Sequence, residues 1–240
     1  MSEAAEASRL LRDHANPEKA AFFPRFFKTQ PGQYGEGDMF LGVTVPDCRA
    51  IAKKHQTMPL ADVARLLESK WHEDRLVALL ILVIQYQKAD ESGQETSYSF
   101  YLDHTVRINN WDLVDLSCRD IVGHFTFHHP KAQPTLNQLA KSPLLWDRRI
   151  AIISTFYFLQ HGDPAPTLRI AEQLLSDKHD LIQKAVGWML RELGKRIDEN
   201  ILLDFLQTHY TRIPRTTLRY AVERFSLSTR KDLLRGVFRR

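Results

Sequence analysis

Cysteine is scarce: only Cys48 and Cys118 occur in 240 residues. Two thiols exclude a disulfide-stapled scaffold and suit a reducing, cytoplasmic setting. No run of eighteen or more apolar residues occurs, so no membrane-spanning helix is expected. The start, Met1 to Arg12, is polar and charged, without the apolar stretch or cleavage pattern of a secretion signal. Strand signals are missing too. There is no sustained apolar/polar alternation and no Asn-Gly hairpin dipeptide. No Gly-Lys-Ser/Thr follows the glycine-rich stretch, which rules out a phosphate loop. His124, His128 and His129 lie close in sequence, yet no HExxH occurs and no cysteine lies nearby. A zinc site, or any other metal site, is therefore not expected.

What is present is ordinary for a folded chain: 43% hydrophobic and 26% charged residues. The apolar spacing is helical nearly throughout, as in RLVALLILVIQYQ at Arg75 to Gln87 and LIQKAVGWMLREL at Leu181 to Leu193. Breakers separate such segments at Pro59, Ser92-Gly93, Pro130, Pro143, Gly162-Asp163-Pro164 and Pro214. Residues 31–45 read PGQYGEGDMFLGVTV and hold four of the ten glycines. This stretch reads as a structured loop between an N-terminal helical cap, about residues 1–30, and a helical array over residues 46–240. The whole of 1–240 is expected to form a single domain.

Charge is uneven. The chain carries +4, whereas Arg191 to Arg240 alone holds twelve basic and six acidic residues. A basic region points to a polyanion, nucleic acid being the commonest; a solvated charged tail is the alternative.

A repeat underlies the helical pattern. Segments starting at Asp74, Trp111, Asp147, Gln183 and Thr217 are spaced by 37, 36, 36 and 34 residues. Such spacing, with a helix pair per segment, indicates an all-α, curved solenoid of HEAT-like repeats, an α-α superhelix. Three residues past each start stand Val77, Val114, Ile150, Val186 and Tyr220. Four past stand Ala78, Asp115, Ala151, Gly187 and Ala221. Small residues in that column let neighbouring helices approach. Asp115 breaks it, and an unpaired buried carboxylate costs several kcal/mol. Trp111 breaks a column otherwise held by Asp, Gln or Thr. Trp111 and Asp115 stand at i and i+4 and share a helix face. Arg149 and Trp188 stand at nearly the same level in the next two segments, where a stacked array brings them toward one groove.

Each of these has a structural reading as well. A tryptophan is more often core filler, and an arginine beside an aspartate is often a structural ion pair. An aspartate in a first turn often serves the helix dipole, a role that Asp112 fits better than Asp115. Taken together at matched repeat positions, they point to chemistry. Aromatic faces attract cations, a carboxylate stabilises them, and a guanidinium holds phosphate. Those groups suit a cationic base on a DNA backbone, whose glycosidic bond breaks through an oxocarbenium-like state.

With these residues in view, the sequence resembles the DNA alkylation repair family, the AlkD-like DNA glycosylases built from HEAT-like repeats. The stretches that carry the likeness are Tyr34 to Val43, Asn110 to Asp115, Trp146 to Ile150 with Ile182 to Glu192, and Arg215 to Phe225. The resemblance spans roughly residues 15 to 235. It implies excision of positively charged N3-alkyladenine and N7-alkylguanine from duplex DNA by hydrolysis, without flipping the base into a pocket. It implies that Trp111 contacts the lesion's deoxyribose, that Asp115 stabilises the cationic sugar and positions water, and that Trp188 is the second tryptophan. Arg149 matches the arginine on the DNA backbone, and Arg191, Arg148 and Lys184 are further candidate DNA contacts. Two departures stand out: Asn110 occupies a position where the best-known branch has tryptophan, and the YGEGD segment is longer than that branch's loop.

No helix-hairpin-helix glycine turn and no candidate Schiff-base lysine occur, so no strand-cleaving step is expected. No cofactor is expected. The expected partner is double-stranded DNA containing alkylated bases, not a membrane. A monomer is expected, cytoplasmic and on the nucleoid when bound to DNA. Two other classes fit the same sequence: a non-catalytic binder of distorted or branched DNA, and a protein-interaction scaffold.

Overall fold

The computed structural model describes residues 2–238 and is all-α, with no strand among the described residues. The chain divides into two compact units, Met1–Ser117 and Cys118–Arg240. Unit 1 comprises α1 (Glu3–Asp13), α2 (Pro17–Phe26), α3 (Val45–Lys54), α4 (Leu60–Leu67), α5 (His72–Lys88), α6 (Glu91–Asp103) and α7 (Trp111–Asp115). Unit 2 comprises α8 (His124–His128), α9 (Pro134–Ala140), α10 (Leu145–Gln160), α11 (Ala165–Leu174), α12 (Asp180–Arg196), α13 (Glu199–His209), α14 (Arg215–Ala221) and α15 (Leu227–Leu234). A widened π turn at Arg119–Gly123 precedes α8. None of the described helices is long and apolar enough to cross a membrane.

Helix starts follow from local chemistry. Ser2, Asn16 and Asp90 each accept a backbone N–H of the first turn of α1, α2 and α6, and Pro17 opens α2 where its missing N–H costs nothing. The five segment starts of the repeat all fall in the first turns of helices, in α5, α7, α10, α12 and α14. Helices α5 and α10 are the centres of their units. From His72 to Val83 every residue of α5 is buried, as befits a helix apolar around most of its circumference.

The repeat columns have distinct physical roles. Asp74 of α5 accepts from the Ser69 hydroxyl at 2.6 Å, and Asp147 of α10 accepts from the Ser142 hydroxyl at 2.7 Å. In both repeats the same serine accepts a backbone N–H, from Trp71 and from Leu144. The arginine after each aspartate, Arg75 or Arg148, donates to that serine's carbonyl. The first column is thus a turn-fixing device, and Trp111 stands where that device would be. In the small-residue column, Ala78, Ala151 and Ala221 are buried. A Cβ on Gly187 would lie 2.5 Å from the Tyr220 Cβ and 2.6 Å from the Thr217 carbonyl, so α12 and α14 pack backbone to backbone there.

Residues 31–44 form no helix, and Glu73 of α5 holds the end of this segment. The Glu73 carboxylate accepts the N–H groups of Leu41, Gly42 and Val43 at 2.8 to 3.2 Å. Three successive amides converging on one carboxylate make an anion nest whose anion the protein supplies itself. Gly42 has φ +81, and a Cβ there would lie 2.2 Å from the Asn16 carbonyl, so no other residue fits. Bonds to a buried charge are among the stronger ones, so Glu73→Gln should lower unit 1's unfolding free energy by about 2 kcal/mol. Urea denaturation followed by circular dichroism measures this. A change within about 0.5 kcal/mol, the scale of an uninvolved surface site, would show that the loop holds itself.

Candidate functional site

Four consecutive titratable residues, His72, Glu73, Asp74 and Arg75, open α5, and all are buried. His72 lies between two carboxylates. Its Nδ1 is 3.0 Å from Asp38 and its Nε2 is 2.8 Å from Asp112. Arg75 donates to the other oxygen of Asp38, and Asn110 Nδ2 donates to Asp38 at 3.0 Å. Burial alone would push the His72 imidazole down, but Asp112 and Asp38 overcome it and raise its pKa to about 9. Burial would raise Asp38; the bond from His72, the Arg75 charge and Asn110 hold it below the usual carboxylate value. At neutral pH both ring N–H groups of His72 therefore donate, and an imidazolium ties the 31–44 segment to α5 and α7.

Asn110 precedes α7 and accepts the Trp111 N–H at 2.9 Å while its amide reaches Asp38. The two departures noted above, Asn110 and the longer glycine-rich segment, are thus joined by one hydrogen bond. Asp112 stands in the first turn of α7, where a dipole role places it, and its Oδ2 also pairs with His72. The helix dipole alone does not explain a carboxylate that is 7% exposed; the pairing with His72 does.

Trp111 is half-buried at the start of α7. Its ring stacks on Phe27, with centroids 5.5 Å apart and planes 18° apart, and meets the edge of Phe26 at 5.8 Å. Phe27 in turn stacks on Phe40 at 4.9 Å, and His72 lies against both rings. These residues, with Phe22, Phe23, Val45, Leu76 and the carboxylates Glu73, Asp112 and Asp115, line a cavity of about 740 Å³. Asp115 is half-buried, whereas the small residues matching it in the repeat are buried. Trp111 and Asp115, paired from their i, i+4 spacing, line this one cavity.

The other sequence candidates lie in unit 2. Trp188, on α12, is half-buried, tilted against Phe156 with centroids 6.4 Å apart. Arg149 is buried, and its guanidinium donates to the Leu181 carbonyl at 2.8 Å. Arg148 pairs with Asp177 at 2.7 Å and donates to the Ser142 and Pro143 carbonyls. Lys184 pairs with Asp180 at 2.5 Å, one turn away on α12. Arg191 pairs with Glu223 and lies 3.8 Å from Glu192. The histidines form a ring ladder: His124 meets His128 at 4.4 Å, and Tyr157 meets His161 at 4.3 Å. Burial, with the charges of His128, His129 and His161 behind it, holds the His124 pKa low. Among the described residues, no three His, Cys, Asp or Glu side chains are grouped to hold a metal.

His72, Asp38, Glu73 and the phenylalanines of α2 are absent from the sequence reading. The available signal was the charged quartet His72 to Arg75 heading an otherwise apolar helix, a pattern expensive to bury unless every member is paired.

The model of a family described as DNA alkylation repair enzyme matches residues 7–225. Among solved structures, the chain is similar to a predicted DNA alkylation repair enzyme from Enterococcus faecalis, with a TM-score of 0.69 at 17% identity. That likeness covers 89% of this chain and 98% of that one, and shows a shared fold. Among curated proteins, none matches.

The ion-pair network sets a pH window for unit 1. Because the folded His72 pKa of about 9 lies above its ordinary 6.5, its contribution is complete below pH 6.5 and is lost as pH rises through 9. Asp38, held below its ordinary 3.8, contributes above that value and fails as pH falls further. Thermal unfolding should therefore show Tm falling between pH 7 and 10 in the wild type, and this fall should be shallower in His72→Asn. Parallel Tm profiles in the two proteins would refute the charged assignment.

Proposed function

The chain belongs to the DNA alkylation repair enzyme family, and on that premise we propose that it is a monofunctional glycosylase excising N3-alkyladenine and N7-alkylguanine from duplex DNA. The observation that supports this reading best is Asp115. It is the one carboxylate in a column of alanine and glycine, and it lines an aromatic cavity together with Trp111.

The chemistry follows from charge. An alkylated purine is a cation, so its N-glycosidic bond breaks with the electron pair going to the base, which leaves neutral. No general acid has to protonate the leaving group. Positive charge moves to the sugar, where the Asp115 carboxylate stabilises it and orients water for addition at the anomeric carbon. Water then loses a proton, and the product is an abasic site. Neither a metal nor an organic cofactor enters these steps. Trp111 is proposed to contact the deoxyribose, and Trp188 is proposed as the second catalytic tryptophan. Arg149, Lys184 and Arg191 are proposed to hold DNA phosphates. Arg148, whose Nε and Nη1 are committed to Asp177 and two carbonyls, and Arg149, which is buried and donates to the Leu181 carbonyl, support this least. We place the protein in the cytoplasm, on the nucleoid when bound, acting as a monomer. By the resemblance the base stays stacked during the reaction and is not flipped into a pocket.

Loss of one transition-state stabiliser typically costs a factor on the order of 10² to 10³. Asp115→Asn should slow 7-methylguanine release from methylated duplex by about that factor, while salt-sensitive DNA binding persists. Chromatography of released bases checks this. Equal release by variant and wild type would remove Asp115 from the mechanism. DNA binding without release by the wild type would favour a non-catalytic DNA binder.

A further inference from the structure

We infer that Arg196, at the end of α12, is a phosphate-binding residue on the Trp188 face of unit 2, held ready by Phe156 and Glu192. The inference rests on the reading of DNA as the ligand, and not on base release. Arg196 lies outside the stretches that carry the family likeness.

Position comes first. Trp188, Glu192 and Arg196 stand four residues apart on α12 and share one face of the helix. Glu192 is buried, and its carboxylate accepts from Arg196 Nε at 3.0 Å. The Arg196 guanidinium lies over the Phe156 ring of α10, 4.7 Å from its centroid. The same ring is tilted against Trp188 at 6.4 Å. Phe156 therefore meets both the guanidinium and the indole, and acts on the ligand only through them, as a positioning residue.

Availability comes second. Arg196 is fixed at Nε and along one flat side, while Nη1 and Nη2 have no hydrogen bond among the described residues. Its side chain is 35% exposed. Those two nitrogens are the fork that grips a phosphate. A carboxylate at Nε and a ring beneath set the fork before a ligand arrives, so less side-chain freedom is lost on binding. The sequence candidates in unit 2 are more committed. Arg149 donates to the Leu181 carbonyl, Arg148 fixes its own turn, Lys184 pairs with Asp180 and Arg191 pairs with Glu223. Distance comes third. Eight residues of α12 rise about 12 Å and a DNA strand advances about 3.4 Å per nucleotide, so the phosphate at Arg196 lies within about four nucleotides of Trp188.

Fluorescence anisotropy of a labelled undamaged duplex, titrated with the full chain at several salt concentrations, tests this. Arg196→Gln should weaken binding several-fold and flatten the slope of log K against log[salt] by about 0.9, the value of one phosphate contact. Arg169→Gln removes an equal charge, from an arginine of α11 bonded to Asn137, and should leave the slope as it is. Phe156→Leu keeps the Arg196 charge and removes its prop. It should weaken binding by less, keep the slope, and add little to Arg196→Gln in the double variant. A wild-type slope in Arg196→Gln, or a loss matched by Arg169→Gln, would overturn the assignment. Full binding by Phe156→Leu, or additive losses in the double variant, would overturn the role of Phe156. A wild type that holds no duplex would overturn the contact together with its ligand. The expected slope change in a chain that releases no 7-methylguanine would leave Arg196 standing and sink the glycosylase reading.

Discussion

An imidazolium held between two carboxylates inside unit 1 organises everything around the candidate site. His72 joins Asp38, from the glycine-rich segment, to Asp112, from α7. With Arg75 on Asp38, two cations offset two anions, so the network buries no net charge. Removing any one member leaves a net charge buried among the other three, which is why such a cluster fixes one arrangement sharply. Phe27 and Phe40 pack on the His72 ring and Trp111 packs on Phe27, so the aromatic wall is built outward from the ion pair. Asp115 lies one turn along α7 from the residue that His72 anchors, and its position is set by that anchor.

The helical repeat was legible because packing imposes it residue by residue. A column of small residues is what close helix approach requires, and the near-contact at Gly187 shows the constraint directly. Asp115 was legible for the same reason, as the violation of a packing rule. The His72 network was not. Its partners lie 34 and 40 residues away, and no local periodicity links them. Asp112 was read only through its first-turn position, a sufficient local explanation that left its bond to His72 unseen. Asn110 was read only as a departure, since its bond to Asp38 spans 72 residues. Residues 31–45 were read as a structured loop, and nothing local identified Glu73 as the group that holds its end.

Arg75 and Arg148 show how a repeat can disguise a role. Both follow the turn-fixing aspartate, and both donate to the carbonyl of the serine that begins the device. Read singly, Arg148 is itself a candidate DNA contact. Read against its counterpart in α5, it is part of the repeat's own framework.

The sealed thiols carry a consequence of another kind. Cys48 and Cys118 are both buried. Burial, with Glu73, Asp47 and Asp112 adding negative charge, pushes the Cys48 thiol far up, so it holds its proton. Electrophiles that alkylate purines also attack thiolates. A chain proposed to act during exposure to such agents presents them no accessible thiol of its own, so alkylation of cysteine does not compete with the proposed work.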